Sequence, residues 1–136
     1  MNDDMMRRLA REALAMRQYS YVPYSHFAVG AALLTEDGTV YTGCNIENRS
    51  YSATNCAERT AIFKAVSEGR RSFKAIAVCG GPEGSAPSDY CAPCAVCLQV
   101  LSEFAGPDLD VYLVRSEDDI RPMKFGELLP VRFDNI

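Results

Sequence analysis

Two short stretches carry residue types whose spacing points to chemistry. In Asn55-Cys56-Ala57-Glu58-Arg59 a thiol is followed two residues later by a carboxyl group, and in Pro93-Cys94-Ala95-Val96-Cys97 two thiols lie one helical turn apart. Cys56, Cys94 and Cys97 with no fourth protein ligand describe a zinc site with one open position, which is what separates a catalytic zinc from a structural one. Water in that position has its pKa lowered toward about 7. Glu58 is the carboxylate placed beside it to move protons. A C-x-E alone occurs often by chance, and a C-x-x-C alone is as readily redox or structural. The two together, each at a helix start and with Pro93 before the second, are far more specific.

Helices must position these groups. From Cys56 to about Glu68 the pattern is helical, with Asn55 as the expected N-cap and Gly69 as the stop. Thr60, Lys64 and Ser67 share a polar face, whereas Glu58 aligns with Ala61, Ile62 and Ala65 on the apolar stripe. An unpaired buried carboxylate is costly, so Glu58 requires either a partner or a function. Arg59 lies one turn from Cys56 and can donate to thiolate sulfur, offsetting the formal −1 charge of three thiolates and Zn²⁺. A second helix is predicted from Pro93 to about Ala105. Spacing alone cannot choose between Cys91 with Cys94 and Cys94 with Cys97, but helix position favours the latter pair, because Cys91 precedes the predicted start.

The remaining chain reads as a scaffold. Apolar residues recur at helical steps from about Asp3 to Gln18, and Pro23 blocks continuation. Phe27–Thr35 and Thr39–Cys44 flank the turn Glu36-Asp37-Gly38 and predict a hairpin, its first strand covered on both faces. Strands are also predicted at Ala75–Cys79, Asp110–Arg115 and Ile120–Phe125, Pro122 keeping the last at an edge. A short helical turn is expected at Gly126–Pro130. The expected fold is α/β, a three-layer α/β/α arrangement with a mixed, mostly five-stranded sheet. Cys44 and Cys79 fall in strands as buried thiols, and His26, the only histidine, reads as a packed or hydrogen-bonded side chain.

The 136 residues predict one domain spanning 1–136. No apolar run approaches a membrane span, and the acidic start Met1-Asn2-Asp3-Asp4 is unlike a signal peptide. A cytoplasmic protein is expected, its six cysteines reduced or metal-bound. A net charge of −4 argues against nucleic acid as partner and for a small, weakly charged substrate.

With these residues in view, C-x-E followed by P-C-x-x-C matches the signature of zinc-dependent nucleobase deaminases. Over nearly its whole length the chain resembles the small homotetrameric three-cysteine cytidine deaminases. The resemblance rests on Pro23-Tyr24-Ser25-His26-Phe27-Ala28-Val29-Gly30-Ala31-Ala32, Gly43-Cys44-Asn45-Ile46-Glu47-Asn48, Asn55-Cys56-Ala57-Glu58-Arg59-Thr60, Pro93-Cys94-x-x-Cys97 and Leu128-Leu129-Pro130. It implies hydrolysis of cytidine and 2′-deoxycytidine to uridine and 2′-deoxyuridine with release of ammonia, a pyrimidine-salvage reaction, using one zinc per chain. It also implies Cys56, Cys94 and Cys97 as ligands and Glu58 as proton shuttle, delivering first to N3 and then to the amino group. By the same resemblance Phe27 packs against the substrate, Asn45 and Glu47 hydrogen-bond the ribose 3′-hydroxyl, and the main chain at Ala57 holds the base oxygen. Phe133 would enter a neighbouring subunit's site in a homotetramer.

The chain departs from the family pattern in two places. Ala95-Val96 replace the usual Gly-Ala between the paired cysteines and Leu98 replaces an arginine, which leaves Arg59 as the main compensating cation. Cys91 adds a further Cys-x-x-Cys. Three other readings are weighed. A deaminase of an aminopyrimidine antibiotic of the blasticidin type shares the motifs, but Asn45 and Glu47 favour an ordinary nucleoside. A closed structural zinc on Cys56, Cys91, Cys94 and Cys97 would need no Glu58. An RNA- or DNA-editing enzyme is disfavoured by the acidic charge.

Overall fold

The computed structural model describes residues 3–133. Helix α1 (Asp3–Met16) runs into a 3₁₀ turn (Arg17–Tyr19), followed by strands β1 (Phe27–Thr35) and β2 (Val40–Cys44). A second 3₁₀ turn (Tyr51–Ala53) precedes α2 (Ala57–Ser67), β3 (Phe73–Pro82), α3 (Ala95–Phe104), β4 (Asp110–Ser116), β5 (Asp119–Lys124) and the short α4 (Phe125–Leu128). The sheet order is β2-β1-β3-β4-β5. Only the β3–β4 pair is parallel, joined through α3, so the sheet is mixed as expected.

β1, β3 and β4 are largely buried because both of their faces are covered. Along β1, β3 and β4 the side chains alternate between two apolar layers. Ala32, Leu34, Ala75, Ala77, Tyr112 and Val114 meet Leu9, Ala10 and Ala13 of α1. Leu33, Ile76, Val78, Val111 and Leu113 meet Ile62 and Ala65 of α2 and Leu101 of α3. Two glycines let the helices close on the sheet. A Cβ on Gly30 would lie 1.9 Å from the Ala13 carbonyl oxygen, and one on Gly43 would lie 2.3 Å from that of Ala57. Gly43 thereby seats the N-terminus of α2 directly on the end of β2. Pro122 stands opposite Tyr112 on the edge strand β5, where its missing N–H costs no ladder bond.

Three boundaries differ from expectation. β3 extends from Phe73 to Pro82, longer than Ala75–Cys79, because it pairs along the whole of β1. Asn55 is not the cap of α2: Cys56 occupies that position, and the Asn55 amide instead donates to the Thr60 hydroxyl at 3.0 Å. Pro93 does not open α3: the helix begins at Ala95 with Cys94 as its N-cap. Cys44 and Cys79 are buried as predicted, and the His26 ring lies 3.5 Å from the Glu83 carboxylate. Among the described residues no helix is long and apolar enough to cross a membrane.

Candidate metal centre and active site

Both helix starts that face each other are cysteine N-caps, Cys56 of α2 and Cys94 of α3. Each sulfur therefore sits at the end where the first N–H groups have no helical partner and the dipole is positive. Cys97, one turn into α3, is fully buried, and its N–H donates to the Cys94 sulfur at 3.5 Å. The three sulfurs lie within 4.8 Å of one another, with Cys56–Cys94 at 3.7 Å and Cys94–Cys97 at 3.5 Å. Four ligands about zinc at about 2.3 Å in a tetrahedron stand roughly 3.8 Å apart, so the donor set fits three corners of such a site. Cys91 is not one of the three.

The electrostatics favour a thiolate at Cys56, whereas the hydrogen bond shared with Cys56, then burial, push the Cys97 thiol up. The Arg59 guanidinium donates to the Cys56 sulfur at 3.1 Å, and its Nε is buried with no hydrogen-bond partner among the described residues. A hydrogen bond from Cys97, then Arg59, pull the Cys56 thiol below its usual range. Leu98 packs against the apolar core, so Arg59 is the guanidinium seen on the thiolate. Burial, followed by the charge of Cys56, pushes the Glu58 carboxyl up to about 7. Glu58 is only 3% exposed, on the stripe with Ala61, Ile62 and Ala65, all fully buried. Its carboxylate nevertheless faces a cleft of about 150 Å³ lined by Val29, Asn45, Ala57, Cys56, Cys91 and Cys94, among others.

The segment 45–47 is stitched in place from both sides. Tyr21 N–H donates to the Asn45 carbonyl at 3.1 Å and Glu47 N–H to the Tyr21 carbonyl at 2.8 Å. Ile46 and Asn55 exchange two hydrogen bonds of 2.9 Å, which ties this segment to the residue before Cys56. The Asn45 side chain extends the ladder of β1, accepting from Val29 N–H and donating to the Phe27 carbonyl, both at 2.9 Å. Glu47 Oε1 accepts from the N–H groups of Tyr24 and Ser25 at 3.1 Å, and bonds from Ser25 foremost hold its carboxyl below the usual range. Asn45 lines the cleft with Glu58, whereas Glu47 lines an adjoining hollow with Tyr24, Ser25 and Tyr51; Thr54 borders both. Phe27 opens β1, half-exposed, after the left-handed His26 at φ 57°.

Phe133 lies elsewhere. Its ring is 69% exposed and its carbonyl accepts from Gln99 of α3 at 3.1 Å. Thr54 and Val29 also line the cleft, as does Cys91, which the sequence offers only as a fourth ligand of a closed zinc site. Thr54 was legible only as the neighbour of Asn55, and Val29 and Cys91 carried no signal of facing Glu58.

Residues 4–113 match the family model described as the cytidine and deoxycytidylate deaminase zinc-binding region. The chain belongs to this family. Among cytidine deaminases, that of Sporosarcina psychrophila is 52% identical over 128 residues, covering 94% of this chain and 90% of the relative. That of Halalkalibacterium halodurans is 51% identical over 125 residues, with 92% and 91% covered. The cytidine deaminase structure from Burkholderia pseudomallei superposes with a TM-score of 0.83 at 47% identity, covering 93% of this chain and 97% of that one. Membership makes this a zinc-binding deaminase fold, and the three-sulfur cluster has the composition for one zinc per chain.

Proposed function

We propose that this chain hydrolyses cytidine and 2′-deoxycytidine to uridine and 2′-deoxyuridine, releasing one ammonia per turnover, in pyrimidine salvage. The observation that carries the reading is a nine-tenths-buried carboxylate, Glu58, opening into the same cleft as three clustered sulfurs. A zinc held by Cys56, Cys94 and Cys97 supplies, when bound, a Lewis acid with an open position for water.

Glu58 takes one proton from the attacking water and delivers it to N3 of the cytosine ring. It then takes the second proton from the hydroxyl now on C4 and delivers it to the amino group, which leaves as ammonia as the C4 carbonyl forms. One carboxylate serves all these transfers because it is fixed two residues from Cys56 and shielded from bulk water. Arg59 offsets thiolate charge, the main chain at Ala57 receives the base oxygen, and Phe27 packs on the ring. Release of ammonia from cytidine, abolished by a chelator and restored by zinc, is the expected result. Absence of turnover on cytidine alongside turnover of a blasticidin-type aminopyrimidine would reassign the substrate. The reaction belongs in the cytoplasm, a placement supported by six cysteines free of disulfides.

Asn45 and Glu47 recognise the sugar. Glu47 is oriented by two main-chain donors on Oε1 and by the Ser25 side chain, which hold it ionised as an acceptor for a ribose hydroxyl. Glu47→Gln replaces that acceptor with a donor and raises KM for cytidine by about 10–100-fold, the worth of a hydrogen bond to a charged group. Cytosine and cytidine monophosphate are poor substrates, the first lacking the hydroxyl and the second repelled by the carboxylate. Steady-state kinetics on the three compounds checks this, and equal efficiency on all would remove the pair from sugar recognition.

The assembly is a homotetramer in which Phe133 enters a neighbouring subunit's site. Support comes from its exposure and its tether to α3, which leave the ring outside this chain's core. Phe133→Ala raises KM several-fold at unchanged zinc content. An active monomer by light scattering would overturn the shared site.

A further inference from the structure

Five of the six cysteines have an account: Cys44 and Cys79 are buried in strands, and Cys56, Cys94 and Cys97 form the metal cluster. Cys91 is left over, half-buried and facing the cleft that Glu58 opens into. Its setting is specific. A Cβ on Gly80 of β3 would lie 2.8 Å from Cε2 of Phe27 and 3.0 Å from the Cys91 sulfur. Ring and thiol therefore both crowd the same bare glycine, and any side chain at position 80 would push against them.

We infer that Cys91 is the wall on which the C5–C6 edge of the pyrimidine rests, so that the volume of this side chain decides which 5-substituted cytidines the cleft admits. This rests on the deaminase reading of the site. In that reading N3 and C4 face Glu58 and the metal cluster, O2 faces the main chain at Ala57, and N1 carries the sugar toward Asn45 and Glu47. The remaining edge bears only C–H groups and needs an apolar neighbour. C5 is bonded to C4, so a substituent there lies at the metal end of the cleft, where the segment bearing Cys91, Ala92 and Cys94 forms the lining. A thiol is a small, weakly polar hydrophobe suited to such an edge, and this one adjoins Phe27, the aromatic assigned to the base.

The test compares kcat/KM for 5-bromocytidine with kcat/KM for cytidine in wild type, Cys91→Ala and Cys91→Leu. A methylene's worth of room in a hydrophobic pocket changes discrimination by about 10–200-fold. The ratio is expected to rise at least about tenfold in Cys91→Ala and to fall correspondingly in Cys91→Leu. Unchanged ratios in variants that turn over cytidine overturn this proposal alone, whereas a wild-type enzyme inactive on cytidine overturns the reading beneath it. An independent measurement uses the zinc-loaded wild-type protein and iodoacetamide. The Cys91 sulfur displaces iodide from the methylene carbon, its proton passes to solvent, and the modified peptide is quantified by mass spectrometry. Saturating uridine is expected to slow modification of Cys91, and an unaltered rate would show that the thiol lies outside the base pocket.

Discussion

Glu58→Gln retains fold and one zinc per chain but lowers turnover by at least about 10²–10⁴-fold, the range typical of a general acid–base group. The substitution is nearly isosteric, so the buried stripe of Ala61, Ile62 and Ala65 that seats the side chain is undisturbed. The amide can still hydrogen-bond a ligand in the cleft. It cannot carry one proton from water to N3 and a second from the C4 hydroxyl to the amino nitrogen, and one group serving several transfers loses all of them together. Burial already weights against the charged carboxylate, so the neutral amide costs the fold nothing. Turnover within a few-fold of wild type, at equal zinc content by metal analysis, would remove Glu58 from the mechanism.

Cys97→Ser loses zinc, and with it activity, whereas Cys91→Ser keeps one tightly bound zinc per chain. Cys97 is fully buried within the three-sulfur cluster and turned toward Cys94 by the helix they share. A serine hydroxyl there is a poor ligand for a borderline-soft ion, and among the described residues no further Cys, His, Asp or Glu joins the cluster. The loss in affinity should exceed the roughly 10–100-fold that follows from removing a mere outer partner of a ligand. Cys91 stands apart from the cluster, outside the three sulfurs that lie within 4.8 Å of one another. Zinc content of the two purified variants distinguishes them. The opposite ranking would favour a closed site in which Cys91 is a ligand.

Sequence and structure agree most closely where local pattern dictates the outcome. The apolar run of β1 points to a strand covered on both faces, and Glu58 on the stripe of α2 points to a buried carboxylate, and both are found. The start of α3 was misplaced because proline's preference for the first helical turn was set against the capping capacity of a thiol, and the cap won. The result places Cys94 outside the helix proper, with its sulfur accepting the Cys97 N–H. The length of β3 was underread because it depends on pairing with β1, which no local window contains. The pairing of Phe27 with Cys91 across Gly80 was illegible for the same reason, since three distant segments meet there. Asn45 reads from sequence as a substrate contact, whereas what the structure gives its amide is a place in extending the ladder of β1. That placement is a tertiary fact.

The two cysteine N-caps are 38 residues apart in the chain, with all of α2 and β3 between them. A single ion bound to both therefore acts as a cross-link. It closes a loop that the unfolded chain would otherwise leave open, and the entropy so withheld amounts to about 4 kcal/mol by the relation used for disulfides of that span. Bound in this way, the ion would act as a covalent-like staple that requires no oxidation of the thiols. The cofactor is then also part of the fold: removing the ion with a chelator is expected to lower the thermal midpoint along with the activity, and adding zinc before heating should raise both.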